Sequence, residues 1–233
     1  KNAYRSFAAL YSELGGNCRV LTIDYRVAPE HPYPAALEDT IAAYHWLLEQ
    51  GYPAEKIVVA GDSAGGGLAL ALCLWLKNHK EPLPSGVIAM SPWTDLTISG
   101  ESVETNFEKD PLFGKTRDSM LYNKDYLGDN DPTNEYISPL FGDYEGFPPL
   151  LIQVGSYEML LSDSTRVAKK AKEAGGKVKL SIYEGMFHVF QMAMLLMPES
   201  KKAWAEIKRF LHYLDAEEKE ENEMQNISKE EKA

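Results

Sequence analysis

The chain has 233 residues, a hydrophobic content of 44% and a net charge of −11, which suits one α/β domain, or most of one, with an ample core. The acidic balance and the lack of a basic cluster argue against a nucleic-acid-binding surface. No apolar run reaches the length of a membrane span, no zinc-ligand spacing occurs, and the two cysteines carry no pairing signal. We therefore expect a cytoplasmic protein without a bound metal.

Predicted strands and helices alternate along the chain, which is typical of a mostly parallel sheet with helices on both faces. The predicted strands are residues 19–24, 56–60, 87–91, 150–154 and 178–183. The predicted helices are residues 3–14, 35–50, 65–78, 163–174 and 201–216. This pattern predicts the fold class α/β.

Two segments do not follow the alternation. Residues 97–148 are rich in Gly, Pro, Asp and Asn, with short helical pieces such as 116–126, and so long an insertion between two strands is usually functional. Residues 215–233 hold eight acids and three lysines, which indicates a frayed helix extension or a disordered end. We therefore expect one domain over residues 1–214, a lid at about 97–148 and an acidic tail over 215–233.

Residues 61–66 (GDSAGG) lie between a short β-branched run and an apolar run that favours a helix. Gly-x-Ser-x-Gly between a strand and a helix is typical of a nucleophile that projects from a sharp turn, with glycines where side chains would collide. The pattern predicts Ser63 as the nucleophile. It also predicts that the N–H of Ala64, which opens the helix, donates to an oxyanion. The alternative is a turn that serves packing alone.

A catalytic serine needs a base, and with this motif the histidine follows both the serine and the acid along the chain. Of the five histidines, only His188 and His212 come late enough. His212 lies in a segment with the apolar spacing of a helix. His188 follows the strand predicted over residues 178–183, at the strand end where parallel sheets place their sites. We therefore expect His188 to be the base.

The acid is expected after the strand predicted over residues 150–154, where Glu158 and Asp163 are both candidates. Glu158 is nearer the strand end and is better placed to reach His188. Asp163 has a simpler interpretation as a charge or cap at the start of a helix. The residues alone favour Glu158 but leave Asp163 open.

Five stretches together resemble the hormone-sensitive-lipase-like carboxylesterases of the α/β-hydrolase fold, and the match extends from about residue 4 to about residue 214. They are residues 24–36 (DYRVAPEHPYPAA), 61–66 (GDSAGG), 91–96 (SPWTDL), 110–112 (DPL) and 185–188 (GMFH). In that family the acid is usually an Asp in an Asp-Pro-Leu turn, whereas a subset with Gly-Ser-x-Glu-x-Leu-Leu uses Glu. Residues 155–161 (GSYEMLL) are similar to the subset, so the resemblance supports Glu158.

The chain departs from the family pattern at its start. The family carries a His-Gly-Gly-Gly loop whose N–H groups supply most of the oxyanion hole, and this chain has no such loop. The family also has three strands before a helix like residues 3–14, and the third lies between the strands that correspond to residues 19–24 and 56–60. We therefore expect an α/β-hydrolase fold that lacks its N-terminal strands, as part of a longer protein.

The resemblance implies a serine carboxylesterase that hydrolyses short- to medium-chain acyl esters through Ser63, His188 and Glu158, without a cofactor. Its expected partner is a small-molecule ester. A homodimer paired through residues 178–183 is also expected, because relatives often pair through the corresponding strand. A non-catalytic small-molecule-binding protein on the same scaffold is the main alternative, although such proteins typically lose the histidine. A serine peptidase or amidase would normally bring a large extra domain.

Overall fold

The computed structural model describes residues 2–116, 121 and 124–230. Four of its segments form one parallel sheet in the order β1-β2-β3-β4, namely Val58–Asp62, Gly86–Met90, Leu150–Gly155 and Val178–Tyr183. The α-helices of these residues are α1 (Asn2–Leu14), α2 (Ala35–Glu49), α3 (Ala64–Asn78), α4 (Ser102–Thr105), α5 (Leu161–Glu173) and α6 (Pro198–Glu230). This arrangement confirms the predicted α/β class.

The middle strands β2 and β3 are buried along their whole length, because each has a neighbour on both edges and helices over both faces. Successive side chains of a strand point to opposite faces. Val87 and Ala89 accordingly pack with α3 and α5 on one side, whereas Ile88 and Met90 pack with α1 and α6 on the other. The carboxyl ends of all four strands thus meet at one edge of a rigid sheet.

The predicted strand over residues 19–24 is wrong as a member of this sheet. None of residues 19–24 belongs to a strand in the structure, and Val20, Leu21 and Ile23 are exposed. A strand requires a hydrogen-bonded neighbour, and no described residue forms a strand between this segment and β1. The next predicted strand is displaced rather than absent, because Ala54–Lys56 forms a 3-10 turn and β1 begins at Val58.

Residues 91–149 connect β2 to β3, and we call their described part the cap because it contacts the loops that follow β3 and β4. The cap is mostly turns around α4, and its residues Val103, Phe113 and Leu121 share a buried cluster with Met159 and Leu160. The predicted helix over residues 116–126 falls partly on 117–120 and 122–123, which lie outside the described residues. Its described members form turns.

The last helix is longer than predicted, because α6 begins at Pro198 and continues to Glu230. It therefore includes most of the segment that the sequence marks as an acidic tail. In the part of the chain that the structure describes, no helix has both the length and the apolar character that crossing a bilayer requires.

Candidate active site

Ser63 lies in a strained turn between β1 and α3. Its backbone has φ 54° and ψ −123°, a left-handed conformation that non-glycine residues rarely adopt. The Ser63 N–H donates to the Met90 carbonyl (2.9 Å), and the Ser63 carbonyl accepts from the N–H groups of Gly67 (3.1 Å) and Trp93 (3.0 Å). A Cβ on Gly61 would lie 2.2 Å from the Gly65 carbonyl oxygen, so glycine is required there, as the motif predicts.

A chain of hydrogen bonds joins the three residues that the sequence selects. The Ser63 hydroxyl oxygen is 2.9 Å from His188 Nε2, and His188 Nδ1 is 2.9 Å from Glu158 Oε2. Both His188 and Glu158 are buried, whereas Ser63 is partly exposed. The structure therefore brings together a hydroxyl, an imidazole and a carboxylate, the last two shielded from water.

The second carboxylate oxygen of Glu158 is also fully engaged. Oε1 accepts from the Ser91 hydroxyl at 2.7 Å and from the Gly155 N–H at 2.5 Å. A buried carboxylate is tolerated only where hydrogen bonds replace its lost hydration. Three donors, including the imidazole, thus hold Glu158 in one orientation.

Comparison with known proteins identifies the family of the chain. The sequence model of the α/β-hydrolase fold family matches residues 5–192. The chain is 44% identical to an esterase of Acinetobacter venetianus, with 89% of this chain and 69% of that protein covered. An acetyl-hydrolase of Streptomyces hygroscopicus is 41% identical, with 85% and 67% covered. A crystal structure of an esterase from the bacterial hormone-sensitive lipase family superposes with a TM-score of 0.84 at 43% identity, over 91% of this chain and 71% of the other.

The chain belongs to the α/β-hydrolase fold family. Its similarity to the hormone-sensitive-lipase-like carboxylesterases, predicted from five sequence motifs, is confirmed by the same relatives.

Asp163, the other candidate for the acid, serves a different part of the hydrolase. Its Oδ2 accepts from the N–H groups of Thr94 (2.7 Å) and Asp95 (2.9 Å), and Arg166 lies 3.7 Å from Oδ1. Burial raises the pKa of Asp163 to about 7, against the opposing effect of the Thr94 N–H. Asp163 thus joins the start of α5 to the loop after β2. The other candidate base, His212, is exposed on α6.

Two cap residues hold the backbone around Glu158, namely Asn106, which the sequence analysis did not single out, and Asp110, whose supporting role it did not predict. The Asn106 side-chain amide donates to the carbonyls of Ser156 (3.0 Å) and Glu158 (2.9 Å). Asp110 Oδ2 accepts from the Met159 N–H at 2.8 Å. Asp110 belongs to the DPL stretch, which was the one available signal, but its partner lies 49 residues away in the chain.

The cap also contacts the imidazole. The ring of Phe113 packs edge-on against His188, with centroids 4.7 Å apart and an interplanar angle of 64°. Asp110 Oδ1 accepts from the Phe113 N–H at 2.9 Å. The cap therefore excludes water from one side of the base.

Asp62 precedes Ser63 and connects the turn to α1. The Tyr4 hydroxyl donates to Asp62 Oδ2 at 2.9 Å. Burial raises the pKa of Asp62, and the Tyr4 hydrogen bond acts in the opposite direction. This contact joins the residue before the proposed nucleophile to α1.

Proposed function

We propose that this hydrolase is a serine carboxylesterase that cleaves short- to medium-chain acyl esters through Ser63, His188 and Glu158. The observation that carries the proposal is the pair of 2.9 Å hydrogen bonds that connect the three side chains in that order. Relatives named esterase and acetyl-hydrolase at 44% and 41% identity support the reaction class.

Acylation begins when the Ser63 oxygen attacks the ester carbonyl carbon. Neutral His188 accepts the hydroxyl proton at Nε2, while its Nδ1–H donates to Glu158. Glu158 holds the imidazole in this tautomer and stabilises the imidazolium that forms. The tetrahedral intermediate then collapses, and the alcohol leaves with the proton from Nε2.

The oxyanion of that intermediate is expected beside the start of α3. Ala64 is the first residue of the helix, and the first N–H groups of a helix have no partner inside it. The Ala64 N–H therefore supplies one hydrogen bond, aided by the positive end of the helix dipole. Water then attacks the acyl-enzyme and gives a proton to His188 Nε2. As the second tetrahedral intermediate collapses, Nε2 returns this proton to the Ser63 oxygen, and the acid product leaves.

The close approach of the cap to His188 supports a preference for esters with a short acyl chain. Phe113 lies against the imidazole, and the cap cluster behind it, with Met159 and Leu160, is tightly buried. One relative is named as an acetyl-hydrolase, and crystals of another, EstE5, were soaked with p-nitrophenyl butyrate.

A series of p-nitrophenyl esters from acetate to dodecanoate tests the proposal. We expect the highest kcat/KM among the short and medium esters, and loss of turnover after phenylmethylsulfonyl fluoride modifies Ser63, seen as a mass increase on the Ser63 peptide. A protein that binds these esters without releasing p-nitrophenol would instead be a non-catalytic binding protein. The His212→Ala variant is the control for His188→Ala and should retain full activity.

A further inference from the structure

One short loop contacts all three segments that hold the proposed triad. The loop is residues 91–93, which follow β2. The Ser91 hydroxyl donates to Glu158 Oε1 at 2.7 Å, and its oxygen accepts from the Val189 N–H at 3.1 Å. The Trp93 N–H donates to the Ser63 carbonyl at 3.0 Å.

Ser91 occupies a backbone conformation that a serine does not favour. Its φ is 46°, in the left-handed region where glycine is at home. The residue is completely buried, and its N–H donates to the Gln153 carbonyl at 2.7 Å. A glycine would adopt this conformation at no cost, so the backbone alone gives no reason for a side chain here. The hydroxyl group is the feature that distinguishes serine at this position.

The Ser91 hydroxyl has two partners. One is the carboxylate of Glu158, and the other is the N–H of Val189, the residue after His188. The hydroxyl's donation to Oε1, together with that of the Gly155 N–H, opposes rotation of the carboxylate and keeps Oε2 aimed at His188 Nδ1. Its acceptance of the Val189 N–H fixes the backbone next to His188. The two contacts join residues that are 67 and 98 positions apart in the chain.

We propose that Ser91 is a positioning residue for the triad, which orients the carboxylate of Glu158 and the backbone of the His188 loop through one hydroxyl. This inference rests on the proposed function. Ser91 touches neither substrate nor the reacting atoms, so its effect is expected in kcat rather than KM.

The test compares Ser91→Ala, Ser91→Gly and Ser138→Ala with the unmodified protein and Ser63→Ala. Ser138 is an equally buried serine whose oxygen also accepts a backbone N–H, from Leu96 at 2.8 Å, but it has no contact with Glu158. The measurements are kcat and KM for p-nitrophenyl butyrate, the pH profile of kcat/KM, and the melting temperature.

We expect both Ser91 variants to lose kcat by about ten- to a hundredfold, since a hydrogen bond to a charged group is removed. Their KM should change by less than about twofold if the effect is confined to the transition state. The acidic limb of the pH profile should move to lower pH, because a misaligned carboxylate stabilises the imidazolium less. Ser138→Ala should show unchanged kcat and an unchanged profile.

Three results would overturn the inference. They are a Ser91→Ala kcat within about twofold of the unmodified protein, a kcat restored by Ser91→Gly, or an unshifted acidic limb in both variants. Restoration by glycine would mean that only backbone geometry matters. Because glycine relieves the strained φ, Ser91→Gly answers the question even where Ser91→Ala does not fold. Absence of Ser63-dependent turnover in the unmodified protein would refute the proposed function as well, and an active unmodified protein with unaffected Ser91 variants would refute the inference alone.

Discussion

The nucleophile and the acid–base pair of the candidate site are held in different ways. Ser63 follows β1, which pairs on one side only among the described strands. Its geometry comes from contacts within residues 61–67 and from two backbone hydrogen bonds, one to the Met90 carbonyl and one from the Trp93 N–H. Glu158 and His188 are buried and are held by side chains from the end of β2 and from the cap.

The geometry of Ser63 is thus set mostly by one contiguous segment, whereas that of Glu158 and His188 depends on several segments. The turn at Ser63 is held by its glycines and by backbone hydrogen bonds, none of which uses the serine side chain. Substitution of Ser63 therefore removes its chemistry and leaves the fold intact. The acid–base pair depends on partners that are far apart in the chain. Changes there are expected to affect activity and stability together.

Ser63→Ala should have the largest effect. It removes the nucleophilic oxygen, and we expect kcat for p-nitrophenyl butyrate to fall by about 10⁴-fold or more. The melting temperature should be nearly unchanged, because a partly exposed hydroxyl contributes little to packing. Residual turnover within tenfold of the unmodified enzyme would mean that Ser63 is not the nucleophile.

Glu158→Gln should follow, with kcat lower by about 10³–10⁴-fold, because a neutral amide can favour the wrong imidazole tautomer. Asp163→Asn is the matched control, since it makes the same chemical change five residues further along the chain. We expect it to keep kcat within about tenfold, because Asp163 contacts Thr94, Asp95 and Arg166. If the losses were reversed, Asp163 would be the acid.

The contrast between local and distributed geometry also explains what the sequence could predict. The motif around Ser63 is contiguous, so strand, turn and helix were predicted together, and the structure confirms each of them. Glu158 and Asp163 lie in one short stretch and differ only in long-range partners, so the residues alone left both open. The support from Asn106 had no sequence signal, and Ser91 was marked only as part of the SPWTDL stretch, because these contacts form only in the folded chain.

The predicted strand over residues 19–24 failed for a related reason. Its apolar residues Val20, Leu21 and Ile23 favour a strand, but strand formation requires a neighbour, and the identity of that neighbour is not encoded in the segment itself. The strands β3 and β4 were placed correctly. Each is a short segment rich in apolar residues, and the two pair with each other in the sheet.

The Asp163→Asn substitution should change the free energy of unfolding more than it changes kcat. Burial raises the pKa of Asp163 to about 7, above the ordinary value of about 3.9, so the native state holds the proton more tightly than the unfolded state. Below about pH 4 the carboxyl is protonated in both states, and burial of Asp163 does not lower the free energy of unfolding. As pH rises from about 4 to about 7 the free energy of unfolding falls, by up to roughly 1.4 kcal/mol per pH unit. Urea unfolding at several pH values should show a flatter profile for Asp163→Asn. A profile parallel to that of the unmodified protein would contradict the assignment.

Asn106→Ala should produce a smaller, combined effect. It leaves the carbonyls of Ser156 and Glu158 without their side-chain donor, and a buried group that loses its partner costs about 1–3 kcal/mol. We expect a lower melting temperature together with a kcat reduced by about tenfold or less, because the loop that bears the acid becomes looser. Asn130→Ala is the control, since that amide donates to the Leu127 carbonyl within the cap. An equal loss of kcat in both variants would show that Asn106 has no special relation to the acid.

Tyr4→Phe should give the smallest effect. It tests how much the hydrogen bond between Tyr4 and Asp62 contributes to stability next to the proposed nucleophile. The variant removes the hydroxyl that donates to Asp62. Burial raises the pKa of Asp62, and the Tyr4 hydrogen bond lowers it, so the bond favours the ionised carboxylate. Its contribution should therefore be present at neutral pH and should fade as pH falls and Asp62 becomes protonated. Because Tyr4 is exposed, we expect a loss below about 1 kcal/mol at pH 7 and kcat within about twofold. Melting temperatures of the two proteins at pH 7 and pH 4 measure this difference. A larger loss at pH 4 than at pH 7 would mean that the hydroxyl does not serve the charged form of Asp62.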